Sequence, residues 1–164
     1  MTAVDAVLRK ELLACWTDVS NAGGAVGFVP PVTPDEVEPL LDRLLDGVAS
    51  GRDVLALLTV DGATAGFASL VGSASPLRLH WGTVLRVQVH PSLQGEGYGR
   101  VLMAGVHDIA RSRGWEFIHL TARGGTGVDA FYRDLGYVEH GRLPGAIRVA
   151  PGDDRDEIIM SRRL

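Results

Sequence analysis

Seven consecutive residues, Gln94-Gly95-Glu96-Gly97-Tyr98-Gly99-Arg100, put a glycine at every second position of a single turn. The turn follows a short apolar run, Val84-Leu85-Arg86-Val87-Gln88-Val89, whose β-branched residues read as a strand. His90-Pro91 ends that strand, because proline has no amide to continue a ladder. After the turn Val101, Leu102, Val106, Ile109 and Ala110 recur at helical spacing, and Gly114 marks the stop. A strand, a glycine turn and a helix N-terminus in that order make a pocket for an anion. Glycine permits positive φ and close backbone approach, unpaired N–H groups face outward, and the helix dipole adds about half a positive charge. The chemistry this suits is phosphate or pyrophosphate binding. The spacing is not the G-x-G-x-x-G of a dinucleotide fold, and Gly99-Arg100-Val101 lacks the Lys-Ser/Thr pair of a P-loop.

The stretch resembles the acyl-CoA signature of the GNAT N-acetyltransferase superfamily, Gln/Arg-x-x-G-x-G/A, read here from Gln94 to Gly99 after the lead-in Val89-His90-Pro91. A second segment, Val128-Asp129-Ala130-Phe131-Tyr132-Arg133-Asp134-Leu135-Gly136-Tyr137, resembles the family pattern A-x-x-F-Y-x-x-x-G-F/Y. The resemblance covers residues 52–164, while the first fifty residues match only in helix count. It implies acetyl-CoA, or another acyl-CoA, as co-substrate, with no metal. The implied contacts are Val87, Gln88 and Val89 of the strand and Gln94, Gly95, Glu96, Gly97, Tyr98, Gly99 and Arg100 of the turn. One amide of Val87 or Val89 would polarise the thioester carbonyl. Tyr132 is implied to lie near the CoA sulfur, where a phenol with pKa about 10 can protonate a departing thiolate as general acid. Two departures stand out. Many members carry Asn six positions before the Phe, where this chain has Gly125, and none of Trp81-Gly82-Thr83-Val84 is the glutamate that some members use as base.

The base is therefore open between His119, whose imidazole titrates near neutrality, the more remote His80, and water relaying the proton. Cys15 sits in the helical apolar pattern Leu12, Leu13, Cys15, Trp16, Val19, which reads as core and argues against a covalent acyl-enzyme. The resemblance draws the acceptor site from the first two helices, their connecting loop and the final strands. That selects Trp16, the loop from Asn21 to Phe28, and residues 145–156. Asp153, Asp154, Asp156 and Glu157 could attract a cationic amine or simply decorate a solvated hairpin tip. Strict alternation along the central strand sets Arg86, Gln88 and His90 opposite Leu85, Val87 and Val89; polar Arg86 and Gln88 in a sheet covered on both faces mark a cleft edge, a salt bridge or a substrate contact.

These groups need a scaffold. Residues 7–21 and 33–49 read as two helices, the second opened by Thr33-Pro34-Asp35-Glu36. Residues 52–60 and 63–71 read as strands joined at Asp61-Gly62, a strong hairpin signal. Then come the central strand, the turn and its helix, a strand at 117–122, a short helix at 128–135, and closing strands at 137–143 and 157–162. Between the last two, residues 144–156 read as a long polar loop in which Ile147-Arg148-Val149 could pair locally. This order predicts an α/β fold of GNAT type, a mixed central sheet flanked by helices, in one domain over residues 1–164.

Composition agrees. The chain has 164 residues, is 46% hydrophobic and 22% charged, and carries a net charge of −4, a globular balance that disfavours nucleic acid as partner. No apolar run reaches the roughly 18 residues of a membrane span, and one cysteine suits a cytoplasmic setting. The expected activity is acetyl transfer from acetyl-CoA to an amine of a small molecule by direct attack in a ternary complex. A homodimer is compatible with this. Two alternatives stay open: a non-catalytic acyl-CoA-binding or regulatory module, and an acyltransferase whose donor is carried by a protein.

Overall fold

The computed structural model describes residues 4–164. Helix α1 (Ala6–Asn21) starts at Asp5, whose carboxylate accepts from the Leu8 amide at 2.8 Å, satisfying one unpaired donor of the first turn. Helix α2 (Pro34–Ala49) starts at Thr33, where Glu36 accepts from the Thr33 amide at 2.8 Å and its hydroxyl at 2.9 Å. Strands β1 (Asp53–Val60) and β2 (Ala63–Gly72) form the predicted hairpin. Its turn has φ +51° at Asp61 and +82° at Gly62, the left-handed pair that matches strand twist. Next come β3 (Trp81–Val89), α3 (Tyr98–Ser112), β4 (Phe117–Arg123), α4 (Val128–Asp134), β5 (Val138–Ala150) and β6 (Asp153–Arg163).

The six strands form one sheet in the order β1-β2-β3-β4-β6-β5. Only β3 and β4 run parallel, so the sheet is mixed, as expected for this α/β class. Helices cover both faces. On one, Met103, Val106 and Ala110 of α3 pack on Leu70, Val84, Ile118, Leu120, Ile158 and Met160. On the other, Leu12 and Trp16 of α1 and Val37 and Leu41 of α2 enclose Phe67 of β2. The indole of Trp16 is fully buried and donates to the Val26 carbonyl at 2.9 Å, tying α1 to the loop that follows it.

Two features of the sheet create the space for a site. The β3–β4 ladder holds only at Trp81–Phe117, Gly82–Ile118 and Thr83–His119, and beyond Thr83 the two strands part. The remaining β3 edge therefore has no strand beside it on that side. Second, β3 carries a bulge against β2: the register shifts between Phe67 and Ser69, where Arg86 adopts φ +55°. A non-glycine residue in the left-handed region costs of order 1 kcal/mol and persists only where its surroundings fix it.

The bulge corrects the expected alternation. Gln88 does lie opposite Val87 and Val89, which pack with the α3 core, but Leu85 does not join them. Leu85 instead pairs with Ser69 and borders a small hollow with Leu40 and Leu44 of α2. The extra residue in the strand reverses the faces before and after it. A second correction concerns residues 144–156, expected as a loop. They complete a long hairpin, with Ile147 opposite Arg155 and Arg148 opposite Asp154, as the local pairing at 147–149 suggested. The apolar alternation that would have revealed it is missing, because β5 is an exposed edge strand with irregular register on either side of Pro144.

Candidate active site

Where β3 and β4 part, a cavity of about 1020 Å3 opens, walled by the α1–α2 loop, β3, the glycine turn, β4, α4 and the β5–β6 hairpin. The turn forms one end. Gly95 and Gly97 take φ +83° and +87°, and at both positions the space beyond the Cα is open. Gly97 is the N-cap of α3 and supplies no side chain to the helix's first amides, which are left to meet an anion. Gly99 packs closely on the next element: a Cβ there would sit 3.3 Å from the Phe131 ring. These features fit a phosphate-bearing ligand. The parted β3 edge fits an extended, amide-containing arm, which could take the hydrogen bonds a neighbouring strand would otherwise use.

Of the residues expected to bind the co-substrate, Val87, Gln88, Val89, Gln94, Gly95, Gly97, Gly99 and Arg100 line the cavity. Glu96 and Tyr98 do not: Glu96 is exposed, and Tyr98 packs against the α3 core. Gln94 points its side chain inward, donating to the Val89 carbonyl at 2.9 Å, so it braces the strand end against the turn. Arg100 is paired with Asp134 at 3.0 Å.

Tyr132 lines the cavity from α4 while its ring stacks edge-on to Phe131 and Tyr137, at 5.2 and 5.5 Å between centroids. Its residue is 7% exposed, and its hydroxyl has no hydrogen-bond partner among the described residues. Burial raises its pKa well above the usual phenol value, so it stays protonated at every working pH.

The expected acceptor residues divide. Phe28 and Arg86 line the cavity; Trp16 and Asn21 do not. Trp16 is core and acts through Phe28, whose ring it meets edge-on at 5.9 Å. Asn21 closes the base of its loop, donating to the Val32 carbonyl and accepting from the Val32 amide, both at 2.9 Å. Arg86 lies over the Trp16 ring, 5.1 Å from its centroid. His119 stands on the closed part of the β3–β4 ladder, between Thr83 and Ser161, and does not line the cavity. His80 is also outside, accepting from the Trp81 indole at 3.0 Å. Among the described lining residues there is no imidazole or carboxylate.

Two of the four hairpin acids are ion-paired, and none of the four lines the cavity. Asp154 is held by Arg148 at 2.6 Å, Asp153 by Arg155, and Asp156 accepts from the Gly145 amide at 3.2 Å. Ile147 and Arg148, within the expected 145–156 segment, line the cavity, and so does Arg123, which no motif marks. Arg123 reaches across to the Gly23 carbonyl at 2.8 Å and joins the end of β4 to the α1–α2 loop. No local pattern marks such a contact between residues 100 positions apart. Gly125, at the position of the family's asparagine, has φ +76°, and a Cβ would meet the Arg155 guanidinium at 2.4 Å. Cys15 is buried outside the cavity, and burial pushes its thiol up to about 11, far from a reactive thiolate. Among the described residues no cluster of three or more His, Cys, Asp or Glu could hold a metal ion, and no helix is long and apolar enough to cross a membrane.

Comparison with known proteins matches this arrangement. The Acetyltransferase (GNAT) family model matches residues 9–137. Streptothricin acetyltransferase of Streptomyces lavendulae is 34% identical over 134 residues, which is 73% of this chain and 66% of that protein, just under two thirds of the relative's length. Among solved structures, the ribosomal-protein-alanine N-acetyltransferase of Brucella melitensis superposes with a TM-score of 0.77 at 22% identity, covering 100% of this chain and 97% of its own. A GCN5-related N-acetyltransferase from Kribbella flavida gives 0.76 at 19%, over 99% and 96%. A Salmonella typhimurium protein assigned as an acetyltransferase, solved with its cofactor acetyl-CoA, gives 0.73 at 18%, over 95% and 90%. At these identities the structural likeness shows the fold.

Proposed function

The chain belongs to the GNAT acetyltransferase family, and from that premise we propose that it transfers the acetyl group of acetyl-CoA to an amine of a small molecule, by direct attack within a ternary complex. The observation that carries this reading is the parting of β3 from β4 directly beside the uncapped glycine turn, with Tyr132 lining the same cavity. Acetyl-CoA supplies the activated acyl group. The amides at the start of α3 hold its phosphates, and the open β3 edge beyond Thr83 holds its arm. The amine nitrogen bonds to the acetyl carbon, the carbon–sulfur bond breaks, and the sulfur takes a proton from Tyr132. Burial makes the phenol a weak acid, but the same water-poor cleft makes the departing thiolate a stronger base, so the transfer stays matched. The amine's proton leaves by water, and Tyr132 regains one from solvent before the next cycle, so the transfer balances.

An unreactive, buried Cys15 supports direct transfer over a covalent acyl-enzyme. The named substrate of the Streptomyces relative supports a small-molecule acceptor. The test is thiol release from acetyl-CoA across a panel of amines, with wild type beside Tyr132→Phe. We expect turnover with at least one amine and a fall of about 100-fold or more in the variant, at unchanged acetyl-CoA affinity. Equal turnover would remove Tyr132 from the mechanism, and binding without any turnover would favour a non-catalytic acyl-CoA-binding module.

A further inference from the structure

Gln88 carries two fully buried polar atoms that find no partner within the protein. It is 3% exposed, and neither its Nε2 nor its Oε1 makes a hydrogen bond within the protein. Leaving a buried amide unpaired is costly, so a position that keeps one has a use for it. Gln88 lies opposite Phe67 on β2 and shares the α1-facing side of the sheet with Arg86, where Phe67, Trp16 and Phe28 stack in sequence.

Arg86 is the second unspent group. Four arginines line the cavity, and three are occupied: Arg100 by Asp134, Arg148 by Asp154, and Arg123 by the Gly23 carbonyl. Arg86 has neither an ion pair nor a hydrogen bond among the described residues, and its guanidinium lies over the Trp16 ring. Arg86 also borders the small hollow beside α2, where Asp53 acts on its charge but is already held by Arg52 at 2.9 Å. Arg86, at φ +55° in the bulge, shares a face with Gln88. The cavity thus presents a half-buried guanidinium and a buried amide, with no carboxylate among its described lining residues.

Resting on the acetyltransferase reading above, we infer that the acceptor amine carries a carboxylate beside it, bound by the Arg86 guanidinium, with the Gln88 amide hydrogen-bonding the acceptor's polar atoms. A guanidinium fork suits two carboxylate oxygens, and an amide can accept from an amine N–H while donating to an oxygen. This is the opposite of what the hairpin acids suggested: none of the four lines the cavity, and Asp154 and Asp153 are paired with Arg148 and Arg155.

The experiment compares matched acceptors in thiol release: leucine, leucinamide and isopentylamine; phenylalanine and phenethylamine; lysine and cadaverine. Thermal unfolding with acetyl-CoA accompanies each variant. The proposal predicts that the carboxylate member of a pair has a kcat/KM about tenfold or more above its partner. Arg86→Gln should erase that preference mainly through KM, Arg86→Lys should restore part of it, and Gln88→Leu should lower turnover of acids and amides alike. Acetyl-CoA should still stabilise all three variants. Preference for the amines without the acid, preference retained in Arg86→Gln, or acetyl-CoA binding with no acid ever acetylated would each overturn the proposal. Absence of acetyl-CoA stabilisation in the wild type would instead overturn the parent reading, and this inference with it.

Discussion

Replacing Gln88 with leucine should make this protein more stable and less active. The side chain is 3% exposed and both of its polar atoms are unpaired within the protein, so folding strips their hydration and returns nothing. An unsatisfied buried group costs about 1–3 kcal/mol, and a leucine of similar volume adds apolar contact with Phe67 across the strand pair. Allowing for imperfect fit, the gain is about 2 kcal/mol, which for a chain of this length is a rise in Tm of about 4–8 °C. The assay is thermal unfolding of ligand-free wild type and variant in the same buffer, with thiol release measured in parallel. A stability gained by deleting a group kept for binding is the usual trade between stability and function. A Tm that falls, or stays level with activity intact, would show that the amide is satisfied in the folded protein and would refute the reasoning.

Gly97→Ala places a Cβ on a left-handed N-cap at φ +87°, and should weaken acetyl-CoA binding by about tenfold while costing about 1 kcal/mol of stability, measured by calorimetry and unfolding. Gly66→Ala would drive a Cβ to 2.4 Å from the Gln88 carbonyl, so it should shift β3 at the bulge and destabilise by about 1–3 kcal/mol in denaturant unfolding. His107 supplies a pH prediction. Its Nδ1 faces the Arg162 guanidinium at 3.1 Å, which can only donate, so the proton sits on Nε2 and is given to the Tyr137 hydroxyl at 3.1 Å. Burial first, then Arg162 and Arg111, lower its pKa to about 4. The unfolded chain binds this proton at about 6.5, so stability contributed by neutral His107 is complete above that value and is lost as pH falls towards about 4. Unfolding midpoints between pH 4 and 7 should therefore slope more steeply in wild type than in His107→Gln, and identical slopes would contradict the assignment.

The chemistry was readable in the sequence where it is local. A glycine turn between a strand and a helix is encoded within one stretch, and so are the Asp61-Gly62 hairpin and the helix start at Thr33. The bulge at Arg86 was not readable, because it is a disagreement of register between β2 and β3 and leaves no mark in β3 itself. That single insertion decides which side chains face the acceptor side, and strict alternation therefore put Leu85 on the wrong face. Trp16 and Asn21 were read as substrate contacts from their neighbourhood, yet the first is core and the second a loop brace, both tertiary facts. Asp154 looks free in the sequence because Arg148 faces it across a strand pair that the pattern conceals, while Arg155 takes Asp153 along β6 itself.

On this reading the space between β3 and β4, closed at one end by the glycine turn, is built for acetyl-CoA. The direct measurement is thermal unfolding with and without acetyl-CoA. At 100 times its dissociation constant the ligand should add about 2.7 kcal/mol to the native state, a rise in Tm of about 5–10 °C, and Gly97→Ala should need more ligand for the same rise. No shift at millimolar acetyl-CoA would contradict the claim.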